Sequence, residues 1–301
     1  MKFNKPATTF EEQIDLLESR GVIIPDKKAA THYLSHINYY RLGAYWLPFE
    51  SDHHSHQFQA GVTFDHILNL YVFDRELRLL VLDAIERIEV SFRTQWAYHM
   101  AHQHGVHAHL DPNLSKNPRW HSSNLKSLEK ELSRSDEVFV QHYKKKYHEP
   151  ADIPPIWSVC EVMSLGLLSR WYKSIKPEQT KTKIARTFHL PSGIMTSFIE
   201  HLAHVRNICA HHNRLWNRRV TKTMQIPRSS KLKELTASFN KDREAERKIY
   251  NTLVMIHYLM SIISPQNHWS DKLKTLLSEH NIDTKMMGFP DNWQQQTIWK
   301  K

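Results

Sequence analysis

From Thr63 to Met100 the chain carries no glycine and no proline, while apolar residues recur at intervals of three and four. That spacing is the helix period, and few globular segments sustain it so long. It predicts one long helix, whole or with a break, around which the other elements pack. At about 100° per residue, Leu70, Phe73, Leu77, Leu80, Val81, Ala84 and Ile88 share an apolar arc. Asp74, Arg75, Arg78, Glu86, Glu89 and Arg93 fall on the adjoining arc. Glu89 precedes Arg93 by four, the favoured orientation for a helical ion pair. Such a stripe is either a solvated face laced by ion pairs or a functional surface.

The remaining segments also read as helices. Only 7 glycines occur in 301 residues, too few for the turns of a many-stranded β protein. A fraction of 40% apolar and 24% charged residues is ordinary for a globular chain. Thr9 and Glu12 form a capping box for a first helix ending near Gly21, and a second helix follows Pro25 and Asp26. The aromatic segment 37–49 closes at Pro48, and the polar residues 51–61 read as a loop. After a connecting loop at 104–119, helices are predicted at 121–133 and 135–147. Another is expected over 156–175, with Gly166 marking a close helix–helix approach. One more spans 178–189, and Pro191 with Ser192 opens the next. A basic loop (218–231) leads to a helix near 240–263 and a short tail. The expected architecture is all-α. It comprises an N-terminal helical segment (1–62), a helical core (63–265) and a C-terminal extension (266–301).

Lys and Arg outnumber Asp and Glu by 41 to 31, giving +10 and a pI near 9.4. A polyanion such as nucleic acid suits that balance, although charge alone also serves solubility. The lone cysteines, Cys160 and Cys209, form no disulfide framework and point to a reducing compartment. The N-terminus lacks the apolar core of a signal peptide, and residues 250–264 are too few to span a bilayer. A cytoplasmic protein without membrane partner is expected.

The chemistry concentrates in Arg206-Asn207-Ile208-Cys209-Ala210-His211, an Arg-Asn-x-x-x-His motif near the end of a predicted helix. A neutral imidazole can take the proton of a ribose 2′-hydroxyl or give one to a leaving 5′-oxygen. A guanidinium can hold the charge that grows on phosphate oxygens, and Asn207 can orient either group. Five residues place Arg206 and His211 roughly 140° apart on an ideal helix. To face one phosphate, the helix must end or distort near Ala210, or two copies must combine. The spacing alone is equally that of a surface Arg and a packed His.

Other residues compete for attention. His201, His204, Cys209, His211 and His212 could suggest zinc, but no second Cys/His pair has matching spacing and no metal or cofactor is expected. Tyr39, Tyr40, Tyr45, Trp46 and Phe49 could stack on bases, yet fit better as packing between helices. Lys144, Lys145 and Lys146, with Arg214, Arg218, Arg219 and Arg78, are the candidate phosphate contacts.

Four ordered blocks carry a resemblance: INYYRLGAYWLPF (37–49), LYVFDRELRLLVLDAIERIEVSFRT (70–94), PPIWSVCEVMSLGLLSRWY (154–172) and HVRNICAHHNRLWNR (204–218). Together they resemble the Abi-like (AbiD/AbiF) abortive-infection proteins of the HEPN superfamily, over about residues 10–265. The resemblance implies an α-helical HEPN bundle, a homodimer, and a ribonuclease site built from two facing motifs. It implies that Arg206 and His211 are catalytic and Asn207 their polar neighbour, supported by Glu86, Glu89, Arg93 and His212. RNA would be the substrate, with a neutralising protein or RNA as a possible partner. A non-catalytic RNA-binding module and a protein-interaction component of a defence complex remain the alternatives.

Overall fold

The computed structural model describes residues 6–147 and 153–300. Thirteen α-helices and one two-stranded ribbon lie among these residues, and the fold is all-α. The chain divides into two units, one of residues 1–78 with 273–282 and one of 79–272 with 283–301. The long helix predicted from the sequence is present without a break as α4 (Phe64–His104, 41 residues), and its two ends belong to different units.

In the first unit, α1 (Phe10–Ser19) begins with the reciprocal Thr9–Glu12 capping box, and Asp26 caps α2 (Lys27–His36). The aromatic block forms α3 (Tyr39–Trp46) and a 3-10 turn (Leu47–Phe49). The expected loop at 51–61 contains a small hairpin instead, β1 (Glu50–Asp52) against β2 (Gln57–Phe58). Asp52 accepts from the backbone N–H groups of His54 and Ser55, which closes a turn too short to register as strand periodicity. Buried Glu50 ties the hairpin to His53 and His56. Tyr45 and Trp46 are buried and pack the unit's interior, Tyr39 meets Trp46 edge to face, and Tyr40 is exposed.

The second unit contains α5 (Pro118–Ser133), α6 (Val138–Lys146), α7 (Ile156–Val162), α8 (Leu165–Ser174), α9 (Glu178–Thr187), α10 (Ser192–Ala210), α11 (Lys233–Ser238) and α12 (Tyr250–Ile263). Helix α5 starts earlier than expected because Asn117 caps it and Pro118 occupies its first turn. The single helix expected over 156–175 is broken at Met163 and Ser164. Ser164 caps α8, and the Glu131 carboxylate accepts from both its N–H (2.8 Å) and its hydroxyl (2.9 Å). Arg93 donates to the carbonyls of Glu161 and Met163, groups left without helical partners where α7 stops. Gly166 makes no close approach; a Cβ there would meet nothing within 4 Å.

Helix α12 begins at Tyr250, later than expected, because Asn240 and Asn251 exchange backbone–side-chain bonds across the preceding turns. Every residue from Tyr250 to His257 is buried. Beyond α13 (Trp269–Glu279), three 3-10 turns bring Trp293 and Trp299 into the core. His257 Nε2 bonds the Ile298 carbonyl at 2.8 Å, and Trp299 Nε1 donates to the Tyr250 hydroxyl at 3.2 Å. Within the expected C-terminal extension, Trp293 and Trp299 thus contribute to the second unit's interior.

Candidate active site

Helix α10 buries its apolar residues along most of its length. Met195, Phe198, Ile199, Leu202, Val205, Ile208 and Cys209 are buried, as a helix inside a bundle requires. Beyond Gly193, the positions of α10 classed as exposed are Arg206 and Asn207. His201 fixes the helix from within. Its Nδ1 meets the Lys222 carbonyl and its Nε2 meets the Thr252 hydroxyl on α12 at 2.8 Å. Burial pushes its pKa down to about 4, so the ring is neutral at physiological pH. His204 shares a 3.4 Å contact with Thr221, and burial, then Arg218 and Lys222, lower its pKa.

The helix ends in a reversal that needs no glycine. His211 is the C-cap, and its N–H still bonds the Asn207 carbonyl at 3.0 Å. His212 takes the left-handed conformation (φ 57°), its N–H bonding the Cys209 carbonyl, while the N–H of Asn213 reaches back to Ile208. These are the two bonds of a Schellman turn. The helical screw thus continues through His211 and breaks only at His212. Arg206 and His211 keep the angular separation of about 140° and an axial offset of about 7.5 Å. Among the described residues no hydrogen bond joins their side chains, and Arg206 instead contacts Asn207 Oδ1 at 3.4 Å. All three are exposed.

A cationic segment follows the turn. Arg214 and Arg218 are half-buried, and Arg218 donates to the Arg214 carbonyl at 3.4 Å. Arg219 pairs with Glu244 at 3.4 Å, and Lys248 reaches Asn217. Burial and then Arg214 depress the Lys248 pKa, placing that ammonium within the same positive field. Nothing in the sequence flagged Lys248, which lies thirty-four positions after Arg214 and joins it only through the fold.

The Abi-like protein family matches residues 32–217. The chain belongs to this family. Membership supports a role in abortive infection. No curated protein and no solved structure matches the chain. The matched stretch of this Abi-like protein runs from α2 to the turn after α10 and holds the whole Arg206–His211 motif.

Several residues of the Abi-like chain stand elsewhere than expected. Arg78 is 5% exposed and ion-paired with fully buried Asp74, whose carboxylate also accepts from the Tyr45 hydroxyl at 2.7 Å. This corrects its assignment to phosphate contact, because a guanidinium so enclosed cannot reach RNA. Arg93 pairs with Glu89 and with the carbonyls at the α7–α8 break, so it braces backbone. Glu86 is exposed, and no hydrogen bond or ion pair links Glu86, Glu89 or Arg93 to Arg206 or His211 within the described chain. Lys144, Lys145 and Lys146 end α6, where Lys144 Nζ lies 3.5 Å from the Leu132 carbonyl and Lys146 lies over Tyr147. Their described contacts do not include α10. Of the residues weighed as zinc ligands, His201 has both ring nitrogens occupied and Cys209 is buried. Among the described residues no group of three or more His, Cys, Asp or Glu is arranged to hold a metal, and no helix is long and apolar enough to cross a membrane.

Proposed function

We propose that this Abi-like protein is a metal-independent endoribonuclease of the HEPN type, acting as a toxin in abortive infection, with Arg206 and His211 as its catalytic pair. One observation carries it: a helix whose other positions, Gly193 apart, are buried or half-buried presents Arg206 and Asn207 to solvent and is capped by an exposed His211. Core packing explains none of these three side chains. The ribose 2′-oxygen attacks the adjacent phosphorus as its proton passes to an imidazole. The P–O5′ bond breaks, the 5′-oxygen takes up a proton, and a 2′,3′-cyclic phosphate and a 5′-hydroxyl remain. Arg206 offsets the charge on the non-bridging oxygens. With the two groups splayed by about 140°, a site shared between two copies supplies the pair more readily than one chain.

The test incubates purified protein with total RNA in EDTA beside Arg206→Ala and His211→Ala. Cleavage in EDTA, lost in each variant with thermal stability retained, is expected. Cleavage that requires a divalent metal, or that survives both substitutions, would sink the mechanism. RNA binding without cleavage, and no growth defect on expression, would favour the non-catalytic alternative.

A further inference from the structure

A cleft of about 230 Å³ lies in the second unit between α5, α8 and the first half of α10. Trp120, Ser123, Asn124, Arg170, Lys173 and Glu200 line it. The indole of Trp120 forms one wall and is 48% exposed, although buried tryptophans elsewhere in the unit show that space for such rings exists inside. Asn124 is 3% exposed; its Oδ1 accepts from Arg170 Nε at 3.4 Å, and its Nδ2 is buried without a partner. A buried amide donor left unsatisfied costs about 1–3 kcal/mol unless something supplies an acceptor. The Arg170 and Lys173 side chains bring positive charge to the rim, and both are exposed. Lys173 Nζ stands 3.0 Å from Glu200 Oε1, which Lys222 Nζ also approaches at 3.5 Å.

An aromatic face, a buried amide donor and two cations match three parts of one ligand. A flat ring would stack on the indole, a carbonyl or ring nitrogen would accept from the amide, and a phosphate would meet the cations. We propose that this cleft binds one unpaired nucleotide of an RNA strand, with its base on Trp120 and its phosphate between Arg170 and Lys173. A duplex keeps its bases stacked and would not present one to the indole. The polymer's identity rests on the ribonuclease reading above; the ligand chemistry rests on the cleft. Two features give the strand a course beyond it. A groove beside the cleft, along α5, is lined by Arg119, Lys126 and Lys130. Lys222, paired with Glu200 of the cleft, and Arg218 both act on His204, and Glu200 lies six residues, about 9 Å of helix rise, before Arg206.

The test uses the full-length protein carrying His211→Ala, so that the probe survives, and fluorescence anisotropy of labelled single-stranded oligoribonucleotides and of the same strands in duplex. Single strands should bind more tightly than duplex. Trp120→Ala should weaken single-strand binding by about 5-fold to about 150-fold, the span for losing one stacked base. Trp120→Phe should restore most of it, whereas Trp120→Leu, apolar but without a π face, should not. Circular dichroism melts of all three should coincide, since the side chain is half exposed. Equal affinity for duplex, no measurable RNA binding, or a Trp120→Leu protein that binds like its parent would overturn the proposal. Cleavage is scored separately on protein with an intact motif. Trp120-dependent binding without cleavage leaves this cleft standing while the ribonuclease reading falls. Cleavage with binding indifferent to Trp120 does the reverse.

Discussion

His201 is held neutral between a carbonyl and a hydroxyl at the centre of α10, and its burial makes the fold sensitive to acid. The unfolded chain takes a proton on this ring near its ordinary pKa of about 6.5, whereas the folded chain resists until about 4. Between those values the unfolded state binds more protons, so stability rises with pH across the window and falls as pH is lowered through it. The shift corresponds to about 3 kcal/mol at most. Urea midpoints should therefore drop between pH 7 and pH 4.5, and His201→Gln should flatten that slope. An unchanged slope in the variant would show that another group governs the loss; buried His109, lowered to about 3, is the nearest rival. Single residues also mark the limits of sequence reasoning. Asp74 and Arg78 are legible as an i,i+4 pair. Their burial is not, because Tyr45, which completes the cluster, belongs to α3.

At the scale of elements, local signals translated well and distant ones did not. Thr9 with Glu12, Asp26, and Pro191 before Ser192 each specify a helix start within four residues of chain, and each start lies where those residues put it. The break between α7 and α8 escaped because IWSVCEVMSLGLLSRWY reads as uninterrupted helix. The groups that stabilise the break, Glu131 and Arg93, come from α5 and α4. That origin gives a test for the role of Arg93. Replacing it with Ala removes the donor to the part-buried Met163 carbonyl and to the exposed Glu161 carbonyl, together with the Glu89 ion pair, at a cost of about 1–3 kcal/mol. We expect a lower Tm for Arg93→Ala, with little change in RNA affinity for the folded protein at the same temperature. An unchanged Tm with weakened RNA binding would return Arg93 to the phosphate-contacting set.

At the scale of the whole molecule, the exposed motif residues diverge on one helix, which directs the prediction to pairs of chains. If one copy contributes Arg206 and the other His211, inactive Arg206→Ala and His211→Ala proteins should recover cleavage when mixed and allowed to exchange subunits. Each mixed pair would hold one site with both groups. Absence of recovery at every mixing ratio, with exchange verified by a size-tagged copy, would place the working pair within a single chain. The composition already indicated an all-α basic chain, from the scarcity of glycine and the excess of 41 over 31 charges. It held no trace of the C-terminal turns entering the core, since Trp293 and Trp299 sit in a polar stretch without periodicity.

The left-handed residue after α10 bears on sequence as well as on shape. Of the two adjacent histidines, His211 stands in helical phase and His212 makes the reversal. The backbone at 212 suits Gly or Asn, whereas a β-branched side chain would clash with it. Any replacement of His211 gives up its imidazole. On the ribonuclease proposed above, the two letters of the doublet meet different demands, His211 for its ring and His212 for a left-handed backbone.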